Sequence, residues 1–360
     1  MGQSHKMRHL LTGLLCLLLV ACEQPNADAN ARRDNAEKSY ILTTATTGGT
    51  YYPVGVAIST LVKLKLQEEH GISLSAINSA GSGENVKLLQ TGEAGFAIIQ
   101  GLFGVWAGTG RGAYGEANAS LDLRSVSMLW PNVEHFVVNK EYVTTGTMSD
   151  MREMGGAKFS VGNRNSGAKE SNAMIFERLD IQEGRDISWA YLGYGAAADA
   201  LQNRTIVGFS APAGAPISAV VRAYSTVGED ITVLNFSDAE LLKVNEAVNL
   251  WTRYVVPANT YPGQTEPIYT AAQPNFLAVR SDIDEDVVYR ITRVIYENLS
   301  FLYSVHKATR VMTLENAVEG LPVALHPGAV RYYREQGIPI PDHLLPPELA
   351  TELAPSLEAE

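Results

Sequence analysis

Apolar residues recur along this chain with two different periods, and the two alternate. Short runs rich in β-branched and aromatic residues, "YILTTAT" from Tyr40 and "AGFAIIQG" from Ala94, read as strands, the second apolar enough to be buried on both faces. Between them "PVGVAISTLVKLKLQEE" repeats at helical spacing and opens on Pro53, a first-turn residue. "SLSAINSA" predicts a further strand and "GSGENVKLLQTG" a loop and helix, so the order is βαβαβ. The rhythm returns from Ala157: strand "AKFSVGN", helix "SGAKESNAMIFERL", strand "ISWAYLG", helix "GAAADALQN", strand "TIVGFSAPA", helix "APISAVVRAYS". Such alternation predicts α/β layers rather than a bundle or sandwich.

Between the halves, "LFGVWAGTGRGAYGEANAS" is glycine-rich without a clear period and reads as a long loop or short irregular helix, and "LRSVSMLW" and "EHFVVNK" read as strands. After the second half, "QPNFLAVRSD" predicts a strand returning to the first domain. It is followed by one long helix, "DEDVVYRITRVIYENLSFLYSVH", and shorter ones at "TLENAVEGL" and "GAVRYYREQG".

With 360 residues and 46% hydrophobic content, the chain is large enough to bury a core and to divide into two domains. A net charge of −11 without basic blocks argues against nucleic acid or an anionic lipid surface as the main partner, leaving a small solute or another protein. At the start, Lys6 and Arg8 precede an apolar stretch from Leu10 to Ala21, the length of an export signal and short for a spanning helix. It ends "LVAC", which resembles the bacterial lipobox and marks Cys22 as a lipidation site. Residues 1–21 are then a signal peptide and 22–39 a polar flexible tether. Losing Lys6 and Arg8 takes the net charge to −13. Cys16 and Cys22 are the only cysteines, so the body of the chain has no disulfide, thiol nucleophile or Cys-ligated zinc. No zincin, nucleophile-elbow or Walker pattern occurs and no carboxylate pair stands out. "GRGAYG" follows no clear strand, so it reads as a loop, and His326 has no ligand-spaced partner. No cofactor or metal is expected.

The candidate chemistry lies where strands give way to helices. At the first junction stand Thr47, Gly48, Gly49, Thr50, Tyr51 and Tyr52: glycines that let the backbone approach a bound molecule, hydroxyls, and flat amphipathic walls beside a helix N-terminus. The next places Ser82, Gly83, Glu84 and Asn85 after Asn78 and Ser79, and a third, in the second half, places Asn163, Arg164, Asn165, Ser166 and Gly167. Each alone is also what an ordinary capped turn contains, whereas three together suggest loops converging on one cleft.

The runs "GGTYYPVGVAISTLV", "GSGENVKLLQTGEAGFAIIQ", "YLGYGAAADALQNRTIVGFSAPAGAP" and "LENAVEGLPVALHPGAVRYYREQG" resemble the TAXI family, extracytoplasmic solute receptors of TRAP transporters. The likeness covers nearly everything from Tyr40 to Gly337. It implies a two-lobed periplasmic-binding-protein fold, type II-like, with lobe I over residues 40–133, lobe II over 134–271, a return to lobe I with C-terminal helices over 272–345, and an acidic tail over 346–360. It further implies closure on a small carboxylate, such as an amino acid or dicarboxylate, for delivery to a membrane permease. By position it adds Gln100, and Ser210, Ala211 and Pro212 on the far wall. The family's glycine-serine-glycine-threonine turn is Asn165, Ser166, Gly167 and Ala168 here, which makes Arg164 and Lys169 candidate counter-charges for an anion. Two other readings stay open: a periplasmic enzyme of related architecture, and a solute-sensing subunit for a membrane kinase.

Overall fold

The computed structural model describes residues 37–112, 123–246 and 248–350, so the leader, Cys22 and most of the tether expected from the sequence lie outside the described residues. Two sheets form the scaffold. The first strand, β1 (Lys38–Thr43), lies between β2 (Ile72–Ile77) and β3 (Phe96–Gln100), all parallel. Beyond β3 the sheet continues antiparallel through β11 (Ile268–Arg280), which pairs also with β4 (Leu123–Val133) and β10 (Thr252–Val256). The second sheet repeats the plan. β6 (Ala157–Ser160) sits between parallel β7 (Ile187–Ala190) and β8 (Gly208–Ser210), followed by antiparallel β5 (Phe136–Asn139) and β9 (Ile231–Val233).

In each lobe a helix begins just past each of the three parallel strands: α1 (Tyr51–His70), α2 (Ser82–Gln90) and α3 (Gly101–Thr109), then α4 (Gly167–Leu179), α5 (Tyr194–Gln202) and α6 (Ser218–Val227). β3 is buried at every position, as its continuous apolar run requires. The lobes join where β4 runs through Val133 to β5, and where β10 and β11 extend from the first sheet to pack Val256, Tyr261 and Ile268 among second-lobe residues.

One open reading is decided, and two elements depart from the pattern read in the sequence. The glycine-rich segment after β3 begins as a helix, α3, because Leu102, Phe103 and Trp106 all find burial. The long C-terminal helix is two, α7 (Glu285–Glu297) and α8 (Leu299–Val305), divided at Asn298, whose Nδ2 donates to the Val294 carbonyl. "TLENAVEGL" forms turns rather than a helix, since the Ala317 carbonyl accepts from Met128 of β4 at 2.8 Å instead of from the next turn.

Candidate functional site

All six strand-to-helix junctions meet at one cleft between the lobes. Its wall is made by Ala45, Thr46, Gly49, Thr50 and Tyr51 after β1, Ala80, Gly81 and Ser82 after β2, and Gln100 at the end of β3. From the other lobe come Asn163, Ser166, Gly167 and Ala168 after β6, Gly193 and Tyr194 after β7, and Pro212 and Ala213 after β8. The cleft leaves about 30 Å³ of room for the centre of a water-sized sphere, within about 430 Å³ of unfilled space that includes its mouth.

The lobes are shut on each other through hydrogen bonds that mostly end on main-chain carbonyls. Thr50 Oγ1 donates to the Gly214 carbonyl at 2.8 Å, the Glu84 amide to the Asn165 carbonyl at 3.0 Å, and the Ala219 amide to the Gly48 carbonyl at 3.3 Å. Gln100 Nε2 donates to both the Gly167 carbonyl, at 3.0 Å, and Ser171 Oγ, at 2.8 Å. Glycine is needed at this seam for closeness. A Cβ on Gly83 would lie 2.5 Å from the Asn165 carbonyl oxygen, and one on Gly167 would lie 2.6 Å from Gln100 Oε1.

Among the described residues, the wall carries no charged side chain. What favours an anion there is the set of helix N-termini: α1, α2, α4 and α5 all start on it, and first-turn amides have no acceptor within their own helix. Arg164 is exposed and lies over the Tyr191 ring, 3.8 Å from its centroid, and Lys169 pairs with Glu170 at 3.0 Å.

Of the residues singled out in the sequence, Gly49, Thr50, Tyr51, Ser82, Gln100, Asn163, Ser166, Gly167 and Pro212 come together on the wall. The others sit off it. Gly48, Gly83 and Asn165 make the cross-lobe contacts, and Thr47 and Arg164 are exposed. Tyr52 is half-buried within α1. Glu84 Oε2 accepts from the Ala80 amide at 2.7 Å, a local cap. Asn85 is fully buried and ties the ends of β1 and β3 together, donating to the carbonyls of Thr44 and Ile98 while accepting from Ser79. Ser210 Oγ donates to Asn172 Oδ1 at 3.0 Å, and Ala211 is buried beside it. Trp106 packs on the Phe103 ring, 5.2 Å between centroids, and takes no part in the wall.

Tyr194 is the main wall residue that sequence reasoning missed. Its hydroxyl donates to the Pro212 carbonyl at 2.9 Å and its ring covers Gly49. The signal was present: "ISWAYLGYGAAADALQ" is a strand, a glycine and a helix start, like the other three junctions.

Behind the wall lies a buried polar network at the crossing between lobes. Glu134 Oε1 accepts from Trp251 Nε1 at 3.0 Å and from Gln273 Nε2 at 3.5 Å, while Oε2 has no hydrogen-bond partner among the described residues. Burial pushes this carboxyl up to about 7. Next to it, His135 is buried between the Val133 carbonyl and the Tyr261 hydroxyl, and burial lowers it to about 4. Gln273 Nε2 also reaches Ser171 Oγ at 3.0 Å, so hydrogen bonds run from Glu134 to Gln100 on the wall. Among the described residues no three His, Cys, Asp or Glu side chains gather as a metal site.

Two α/β lobes, each with its first strand flanked by its second and third, closing on a cleft at the strands' carboxyl ends, define a two-lobed periplasmic-binding-protein fold of type II-like plan. The chain belongs to the NMT1-like family, whose pattern it matches over residues 42–337. Among solved structures it is similar to MatC from Rhodopseudomonas palustris with bound malate, at 13% identity and a TM-score of 0.50 over 83% of this chain and 97% of that one. The periplasmic aliphatic sulphonate binding protein SsuA from Escherichia coli is more distant, at 12% identity and a TM-score of 0.41 over 75% of each chain.

Proposed function

We propose that this protein is an extracytoplasmic solute receptor without chemistry of its own. It shuts on a small carboxylate and presents the shut form to a membrane permease of the TRAP type, in the TAXI manner that the sequence motifs resemble. The observation that carries the reading is the convergence of four helix N-termini, two from each lobe, on a cleft whose wall has no acid, base or cation. Such a site gives an anion hydrogen bonds and a favourable field, and gives a reaction nothing to move protons with. MatC, of the same fold, holds malate in its solved structure, which accords with a carboxylate. Lipidation of Cys22 would tether the receptor at the membrane surface through the segment that precedes Tyr40.

Shutting works by substitution. The solute's hydrogen bonds to water are exchanged for those of loop amides from both lobes, and the cross-lobe bonds form at the same time, so binding energy shifts the population from open to shut. The test is differential scanning fluorimetry of ligand-stripped protein with a panel of mono- and dicarboxylates, amino acids and keto acids, paired with small-angle scattering. A carboxylate that raises Tm and shrinks the radius of gyration supports the reading; a panel without any stabiliser removes it. Turnover of a bound ligand would replace it with the enzyme reading.

A further inference from the structure

We propose that Gln100 sets the size of the solute, restricting the shut cleft to a monocarboxylate of one to three carbons and excluding amino acids and dicarboxylates. This rests on the receptor reading above and narrows it.

Room is the first argument. A single buried water needs about 10–15 Å³ of the kind of space measured here, and a cavity of about 150 Å³ takes benzene. The 30 Å³ of the shut cleft therefore matches two or three waters, the bulk of a small carboxylate.

The cleft also has little room to grow while the lobes stay shut. Ala45, Ala80, Ala168 and Ala213 supply much of the wall, and a methyl group has no rotamer into which it can retract. The long side chains on the wall are all held. Tyr51 donates its hydroxyl to Asn275 Oδ1, and Tyr194 donates to the Pro212 carbonyl. Parting the lobes instead breaks the bonds of Glu84 to Asn165 and of Thr50 to Gly214.

Gln100 is held most completely, and its side chain bridges the seam. It is only 2% exposed. Both hydrogens of its amide are used, on the Gly167 carbonyl and Ser171 Oγ, and its Oε1 accepts from Asn132 Nδ2 at 3.2 Å. Swinging it aside for a longer solute would break all three bonds and take from Asn132 Nδ2 the acceptor it has here, a cost that a short solute avoids. The lack of any cation on the wall works in the same direction, since a second carboxylate would find no counter-charge.

The experiment is isothermal titration of the ligand-stripped full chain with formate, acetate, propionate, glutamate and malate, for the wild type, Gln100→Ala and Gln100→Asn. The wild type is expected to bind its best short monocarboxylate at least tenfold more tightly than glutamate or malate. Gln100→Ala should reverse that order, with Gln100→Asn, which keeps the amide and loses one methylene, falling between. If Gln100→Ala does not fold, the Asn variant alone must show the shift. Glutamate or malate binding the wild type as tightly as the short acids overturns the proposal and leaves the receptor reading standing. So does an unchanged order in both variants. Failure of every variant to bind any carboxylate removes both.

Discussion

The amide of Glu84, in the first turn of one lobe's helix, donates to the carbonyl of Asn165 in the other lobe at 3.0 Å. Asn165 adopts a left-handed backbone, φ 62°, which aims that carbonyl across the seam. Gly83, the residue before the donor, lies against the same oxygen.

Gly83→Ala should therefore separate folding from closure. Within a helix the change favours the folded lobe by about 0.5–1 kcal/mol, yet the new Cβ would sit 2.5 Å from the Asn165 oxygen when shut. We expect an unchanged or raised Tm for the unliganded protein, at least tenfold weaker solute binding, and no compaction on adding solute. Retained compaction by small-angle scattering would refute the role given to this contact.

Asn85→Ala should act on stability and site together. Its fully buried side chain makes three hydrogen bonds that join Thr44, Ile98 and Ser79. Leaving such partners unsatisfied costs about 2–4 kcal/mol. Urea unfolding should show that loss, and solute binding should weaken because the first two junctions are no longer tied. A loss below about 0.5 kcal/mol would contradict the account.

Glu134 and His135, adjacent in sequence, should give opposing pH dependences. Glu134 holds its proton in the folded state from its ordinary 4.5 up to about 7, so its contribution is full below 4.5 and lost as pH rises through 7. His135 stays neutral down to about 4 against an ordinary 6.5, so its contribution is full above 6.5 and lost as pH falls through 4. Each is on the order of 3 kcal/mol, and between about pH 4.5 and 6.5 they offset one another. Wild-type stability should be nearly flat there. Glu134→Gln should make it rise with pH, and His135→Gln should make it fall. Parallel slopes in both variants would dispose of this explanation.

Arg164→Ala should leave solute affinity within about twofold, because the guanidinium stacks on Tyr191 and is exposed. Binding should likewise change little between low and moderate salt, as expected when an anion is held by backbone dipoles inside a cleft. A tenfold loss on removing Arg164 would restore it as a counter-charge.

How much of this was legible beforehand depends on how local the cause is. The strand-glycine-helix junctions show in the sequence because turn chemistry and capping act over a few residues. That is how Thr50, Tyr51, Ser82, Asn163 and Gly167, all on the wall, came to notice. Direction was not legible. Asn85 and Ser210 look like ligand contacts until their partners are known, and those partners, Thr44 and Asn172, lie 41 and 38 residues away. The alanines gave no signal, since a methyl group becomes a wall only through what surrounds it. Arg164 drew notice by its charge, whereas its position is decided by the ring of Tyr191, 27 residues on.

That most cross-lobe bonds end on a main-chain carbonyl has an evolutionary corollary. Substituting side chains around the cleft can retune which solute is accepted, while the outer contour offered to a docking partner in the shut form stays constant. Under the proposed receptor role, a single permease could thus serve a lineage of such proteins whose cargoes have diverged.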